Sequence, residues 1–300
     1  MSVNSSALQG RLCLVLAAVL WSFSGMLTRL LQNPTSLHLN EPALTPLQIA
    51  FFRALFAGLA LAPLVRLGDL RFRPSMPVMV LCFATMNGLF LTSMSLGTAA
   101  NAILLQNTAP FFVFLISVFF LGEAADRKSL IALVIGSIGM LVIVLGGGQL
   151  TQRFDVILMA LGSGLTYGFV VLFLRALRDI SPAFLAMQNH LGSAFFLSLG
   201  VLCWYGSTYW LEWLQTPTLR QLMYLACFGA LQMAIPYWLF ARSLRTVHPQ
   251  EAGAITLLEP LLNPFWTYLV APETDTPTVY TFLGGFLIIG ALGYRYLWKA

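Results

Sequence analysis

The sequence predicts an all-α polytopic membrane protein of ten transmembrane helices, arranged as two inverted five-helix repeats. Three observations lead there. First, the chain is 58% hydrophobic and only 9% charged, with a mean hydropathy of +0.82. Soluble domains carry roughly a quarter charged residues, so this chain lacks the polar surface to cover itself in water. Second, its apolar residues fall into continuous runs of about 20 residues, the length that crosses a bilayer as a helix. They do not alternate as the strands of a barrel would. Third, a punctuated segment recurs at a register of 150 residues: Thr98–Glu123 returns as His248–Glu273, with Pro110 falling on Pro260 and Glu123 on Glu273. Proline removes a helical hydrogen bond and clashes with the preceding turn. Interrupted helices at matching places of two halves point to a binding site in membrane carriers.

The expected spans are Leu12–Leu31, Leu44–Val65, Pro77–Leu96, Ala99–Leu121 and Ser129–Leu145 in the first half. Those of the second half are Val156–Leu174, Pro182–Tyr205, Leu219–Leu244, Gln250–Val270 and Val279–Trp298. The Gly146-Gly147-Gly148 turn divides residues 1–148 from 149–300. Pro46 and Pro182 open the second span of each half. The loops Gln32–Ala43 and Gly206–Thr218 are the longest, and Tyr209, Trp210 and Trp213 in the second read as an interfacial aromatic belt. With the N-terminus in the cytoplasm, twelve Lys and Arg residues flank the inner side and three (Arg29, Arg153, Arg220) the outer, Arg53 lying within a span. That positive-inside bias places both termini in the cytoplasm. Five spans per half is odd, so the halves cross in opposite senses, as inverted repeats do.

Several classes are excluded. The net charge of +5 comes from basic residues scattered beside spans and gives no nucleic-acid footprint. Cys13, Cys82, Cys203 and Cys227 lie in or beside apolar runs without metal-ligand spacing, and read as small buried hydrophobes. No Gly-Lys phosphate loop is present, so ATP does not drive the protein directly. No cofactor or metal site is expected, and the N-terminal run reads as a true span, not a cleavable signal.

The ordered patches PFFVFLISVFFLGE (Pro110–Glu123), ALQMAIPYWLFARSLRTVHPQEAGAITLLEP (Ala230–Pro260) and QIAFFRALFAGLAL around Arg53 resemble the EamA family of the drug/metabolite transporter superfamily. The likeness covers nearly the whole chain, with Ala271-Pro272-Glu273 standing where a Gly-Glu pair is usual. The resemblance implies two halves enclosing a central cavity that opens alternately to each side of a prokaryotic inner membrane. It also implies export or exchange of small metabolites and amino acids. The rivals are a non-transporting scaffold or intramembrane enzyme, and a drug or nucleotide-sugar carrier. A phosphate-bearing substrate calls for several basic groups in the cavity, and only Arg53 is available.

The residues that could carry such a function are few. Glu259 sits mid-span beside Pro260, where an ionisable group costs several kcal/mol unless paired, protonated or facing water. It is the candidate for binding a substrate cation or a coupling proton, or for bracing the broken helix. Glu251, Glu259, Asn263 and Trp266 fall near one helical face. Arg53 is either a clamp for a substrate carboxylate or a structural cation; its counterpart in the second half is Asn189. His190 follows Gln188 and Asn189 and offers a titrating ring or interhelical glue. Trp21 and Ser24 share a face with Gly25 and Thr28, and Tyr167 lies at the matching place of the second half. Gln106 and Asn107 precede Pro110, while Gln232, Tyr237 and Trp238 surround Pro236. Aromatic and amide groups around broken helices suit an amphipathic organic substrate better than a bare ion. The partners expected are the lipid bilayer, a small-molecule substrate and, through Glu259, protons.

Overall fold

The described part of every expected span is mainly helical in the computed structural model, which describes residues 2–96, 99–119, 126–146, 154–270 and 279–296, with 122, 124 and 272. Glu123, Glu273 and the end of the glycine turn lie outside the described residues. The first half comprises α1 (Ser2–Ser22), α2 (Ser24–Gln32), α3 (Pro46–Leu61), α4 (Ser75–Leu96), α5 (Ala99–Gln106), α6 (Ala109–Phe119) and α7 (Arg127–Gly146). The second comprises α8 (Phe154–Ala176), α9 (Pro182–Gln215), α10 (Leu219–Phe228), a π-helical turn (Gly229–Ala234), α11 (Ile235–Ser243), α12 (Pro249–Thr256), α13 (Leu258–Val270) and α14 (Val279–Tyr296). Among the described residues there is no strand. Six continuous stretches are long and apolar enough to cross a membrane: Ser6–Gln32, Pro46–Leu64, Ser75–Met94, Phe154–Ala176, Pro182–Gln215 and Leu219–Ser243.

The two proline-bearing segments break in register. The first bends at Asn107 and Thr108, and the second at Leu257, which is 150 residues after Asn107. Pro110 and Pro260 then lie in the first turn of α6 and α13, where a missing N–H is tolerated. Each leaves the carbonyl four residues earlier, of Gln106 and of Thr256, without its helical donor. A third break, at Phe23 between α1 and α2, has no proline. It is held from across the fold: Asn263 donates to the Ser22 carbonyl (2.8 Å) and the Trp266 ring N–H donates to Ser22 Oγ (2.9 Å). That geometry commits Asn263 and Trp266 to the α1–α2 junction. Glu251, beyond the Leu257 break, pairs with Arg11 at 2.7 Å.

The helices pair across the two halves. α3 packs on α9, α7 on α14, α1 on α11 and α4 on α8. In span order this is second with second, fifth with fifth, and first with third in both directions. Buried apolar clusters lie on these seams, one including Leu14, Phe83 and Leu239 and another Ile49, Leu91 and Phe228. Leu12, Leu59, Phe286 and Ile289 are exposed outside them, as lipid contact requires.

The expected loop Gly206–Thr218 is instead mostly helix. α9 kinks at Gly206, whose φ of 84° suits glycine, and then continues to Gln215. Trp213 is not part of an exposed belt. It is buried, its ring N–H donates to Thr45 Oγ1 (3.2 Å) and its ring meets Phe51 at 5.2 Å. Thr45 and Gln48 form the capping box of α3, and Gln48 also donates to the Trp213 carbonyl (2.7 Å). Trp204 and Tyr205 remain exposed, as an interfacial girdle would be.

Two glycines mark close approaches at the site's edge. A Cβ on Gly253 would lie 2.7 Å from Pro110 Cβ, so the two broken helices touch there. A Cβ on Gly229 would meet the Arg53 carbonyl at 2.5 Å and the Ala57 nitrogen at 2.9 Å, both backbone atoms that cannot swing away. Gly229→Val is therefore expected to cost at least about 1–3 kcal/mol and to collapse the monodisperse size-exclusion peak. Gly200→Ala, which meets open space, should leave that peak unchanged.

Candidate functional site

The helix breaks converge on one internal cavity. Its walls are Trp21, Ser24, Arg53, Met86, Phe90, Gln106, Tyr167, Gln232, Met233, Tyr237 and Glu259. They come from α1 through α5, α8, the π turn, α11 and α13, and so from both halves. The polar groups sit where the backbone is irregular for a shared reason. Gln106 is four residues before Pro110, and Gln232 four before Pro236. Ser24 follows the Phe23 break, and Glu259 precedes Pro260. A π turn is a common way to set a side chain into a site, and here it sets Gln232. The cavity volume is about 30 Å³, enough for one or two water molecules.

Arg53 is buried without a carboxylate partner among the described residues. Its Nη2 donates to Asn87 Oδ1 (2.6 Å), and Asn87 Nδ2 donates in turn to Ser193 Oγ (3.2 Å). The guanidinium stacks over Phe228, 5.6 Å from the ring centroid, and its Nε has no hydrogen-bond partner. Glu259 makes no hydrogen bond or ion pair with a described residue. Tyr237 stands in electrostatic reach of both Arg53 and Glu259, and Tyr167 in reach of Glu259. One wall thus offers a fixed cation with a spare donor and another a carboxylate.

Aromatic rings frame the space. Trp21 meets Tyr237 edge-on at 4.9 Å, Phe240 at 5.2 Å and Tyr167 at 6.3 Å. Trp21 Nε1 and Gln232 Oε1 are buried without partners, although Gln232 Nε2 reaches the Trp21 carbonyl (3.3 Å). Buried polar atoms are nearly always paired. These unpaired donors and acceptors at the cavity wall are suited to a polar guest.

Four of the expected site residues lie elsewhere. Asn107 turns back to the Ile103 carbonyl (2.9 Å) and ties the α5–α6 break. Asn263 holds the Phe23 break, as above. Trp238 packs beside the main core and lies 5.9 Å from the Arg242 guanidinium. His190 is fully buried, with both ring nitrogens unpartnered, and is wedged edge-on between Phe83 (5.0 Å) and Tyr237 (5.1 Å); the Met233 backbone approaches it without hydrogen-bond geometry. It stands behind the Tyr237 wall. The sequence reading missed Asn87 and Ser193, which hold Arg53. A polar amide in the middle of an apolar span was a signal for Asn87. Met86, Phe90 and Met233 carry no such signal.

Asn87→Leu removes the hydrogen bond to a buried cation and is expected to cost about 1.5–3 kcal/mol. Ser193→Ala, one step further from the charge, should cost about 0.6 kcal/mol. Thermal unfolding in detergent checks the ranking.

The EamA-like transporter family matches the chain twice, over residues 8–145 and 155–294. An uncharacterized transporter of Archaeoglobus fulgidus is 30% identical over 276 residues, covering 89% of this chain and 93% of its own length. A crystal structure superposes with a TM-score of 0.77 over 98% of both chains at 17% identity, a likeness of fold.

Proposed function

We propose, for a chain that belongs to the EamA-like transporter family and is a multi-pass membrane transporter, that it exchanges or exports small zwitterionic metabolites by alternating access. Amino acids or related compounds are the substrate class. The observation that carries this reading is the presence, on separate walls of one cavity, of the unneutralised Arg53 and the unpartnered Glu259. A zwitterion offers a carboxylate to the spare Nε of Arg53 and an ammonium to Glu259. Trp21, Tyr167 and Tyr237 then accommodate the carbon skeleton, and Ser24, Gln106 and Gln232 supply polar contacts. A drug cation would leave Arg53 without an anion, and a nucleotide sugar would ask for more cations than one.

A cavity of about 30 Å³ is smaller than any such substrate, so transport requires the walls to part. The broken helices suit that motion. The Pro110–Gly253 contact joins α6 to α12, and the half-helices on either side of each break can tilt without breaking a continuous ladder. The symmetric pairing of helices supports a reading of ten spans in two inverted repeats, residues 1–148 and 149–300, with both termini cytoplasmic in an inner membrane. Glu259 is the proton-coupling group in this scheme. It exchanges a proton for the substrate ammonium as the cavity changes sides.

Proteoliposomes loaded with a panel of labelled amino acids test this. Counterflow of neutral amino acids, accelerated by an imposed pH gradient, is the expected result. Glu259→Gln should lose the acceleration and slow transport by about tenfold or more, or ~1.4 kcal/mol. Wild-type rates and gradient response in Glu259→Gln would remove the proton role. Unchanged amino-acid affinity in Arg53→Lys would remove the carboxylate clamp.

A further inference from the structure

A second, polar pocket of about 240 Å³ opens at the ends of the spans, away from the central cavity. It is formed where the connection between α3 and α4 meets the α8–α9 and α11–α12 turns, and Asp69, Arg71, Asp179, Ser181 and Arg245 line it. One of its two carboxylates is ion-paired, and the other accepts a backbone N–H. Asp179 pairs with Arg73 (3.0 Å), and Asp69 accepts the Arg66 backbone N–H (3.0 Å). Arg245 donates one nitrogen to the Ile180 carbonyl (2.6 Å) and keeps further donors for another acceptor. The Arg71 side chain makes no hydrogen bond with a described residue. With Arg73 counted beside Asp179, three guanidinium groups stand against two carboxylates, and the pocket carries one net positive charge.

The segment that supplies Arg71 has a second character. Leu67 is 89% exposed and Phe72 74%, and both alternate with charged residues in the run Arg66–Arg73. Large apolar side chains left bare beside the helix ends of a membrane protein lie in the headgroup–acyl boundary. A free phosphate accounts for the arginines but not for Leu67 and Phe72. A phospholipid accounts for both, with its phosphate on the guanidinium groups and its chains along the apolar residues. We infer that this pocket binds the headgroup of an anionic phospholipid, which thereby ties the α3–α4 connection to two turns of the second half.

Binding of phosphatidylglycerol, phosphatidylcholine and inorganic phosphate to the full chain in detergent, read by native mass spectrometry and by thermal unfolding, tests the assignment. Phosphatidylglycerol should bind and raise the unfolding temperature. Arg71→Gln and Arg245→Lys should each weaken its binding about tenfold, while Arg178→Gln, a neighbouring exposed arginine outside the pocket, should not. Leu67→Ser with Phe72→Ser should weaken binding of phosphatidylglycerol and leave that of inorganic phosphate unchanged. Undiminished phosphatidylglycerol binding in both Arg71→Gln and Arg245→Lys would overturn the site, as would an equal loss in Arg178→Gln. Inorganic phosphate stabilising the protein as well as the lipid does would overturn the lipid assignment.

Discussion

A backbone carbonyl without a donor costs several kcal/mol in hydrocarbon, and four prolines of this chain, Pro110, Pro236, Pro260 and the mid-helix Pro264, remove the helical donor of Gln106, Gln232, Thr256 and Pro260. The architecture around them follows from the need to keep those groups away from lipid. Each defect is turned inward, against a helix of the other half or into the cavity. Gly164 of α8 gives the required space: a Cβ there would meet the Leu105 and Gln106 carbonyls at 2.8 and 3.1 Å. The cavity is thus the place where irregular backbone can be accommodated, and the polar side chains gather where the irregular backbone is.

The same constraint explains how the charged groups survive. Arg53 is not neutralised by an acid. It is distributed over an amide, a hydroxyl behind that amide and an aromatic face. A neutral relay leaves the positive charge available to a guest, whereas an ion pair would have consumed it. Glu259 lacks even such a relay: no described residue gives it a hydrogen bond or ion pair, and Tyr167 and Tyr237 are its nearest titratable neighbours.

Much of this was legible in the sequence, and the remainder was not for identifiable reasons. The breaks before Pro110 and Pro260 could be read from the shared register, because proline acts locally. The break at Phe23 could not: the segment Ser22-Phe23-Ser24 has no strong helix breaker, and the bend is imposed by Asn263 and Trp266 from 240 or more residues away. Eight of the twelve proposed site residues line the cavity; Asn107, His190, Trp238 and Asn263 do not, since a polar side chain near a break can serve the break as readily as the cavity. Trp213 was misread because an amphipathic ring looks the same in a sequence whether it anchors to lipid or closes over Thr45. The Gly206 elbow was missed because a glycine between aromatic residues resembles a loop.

The exchange-symmetric pairing of helices has an energetic corollary. Contacts that map onto one another when the halves are swapped contribute equally to two conformations related by that swap, and cancel from the difference between them. Any preference of the resting molecule for one such conformation must then come from the residues that break the correspondence. Arg53 against Asn189 is one such mismatch, and the clasp of Trp213 across the halves onto Thr45 is another, since the matching Ser181 makes no side-chain cap. A protein of this kind can be retuned by single substitutions at its asymmetric positions, with the whole of its symmetric framework left untouched.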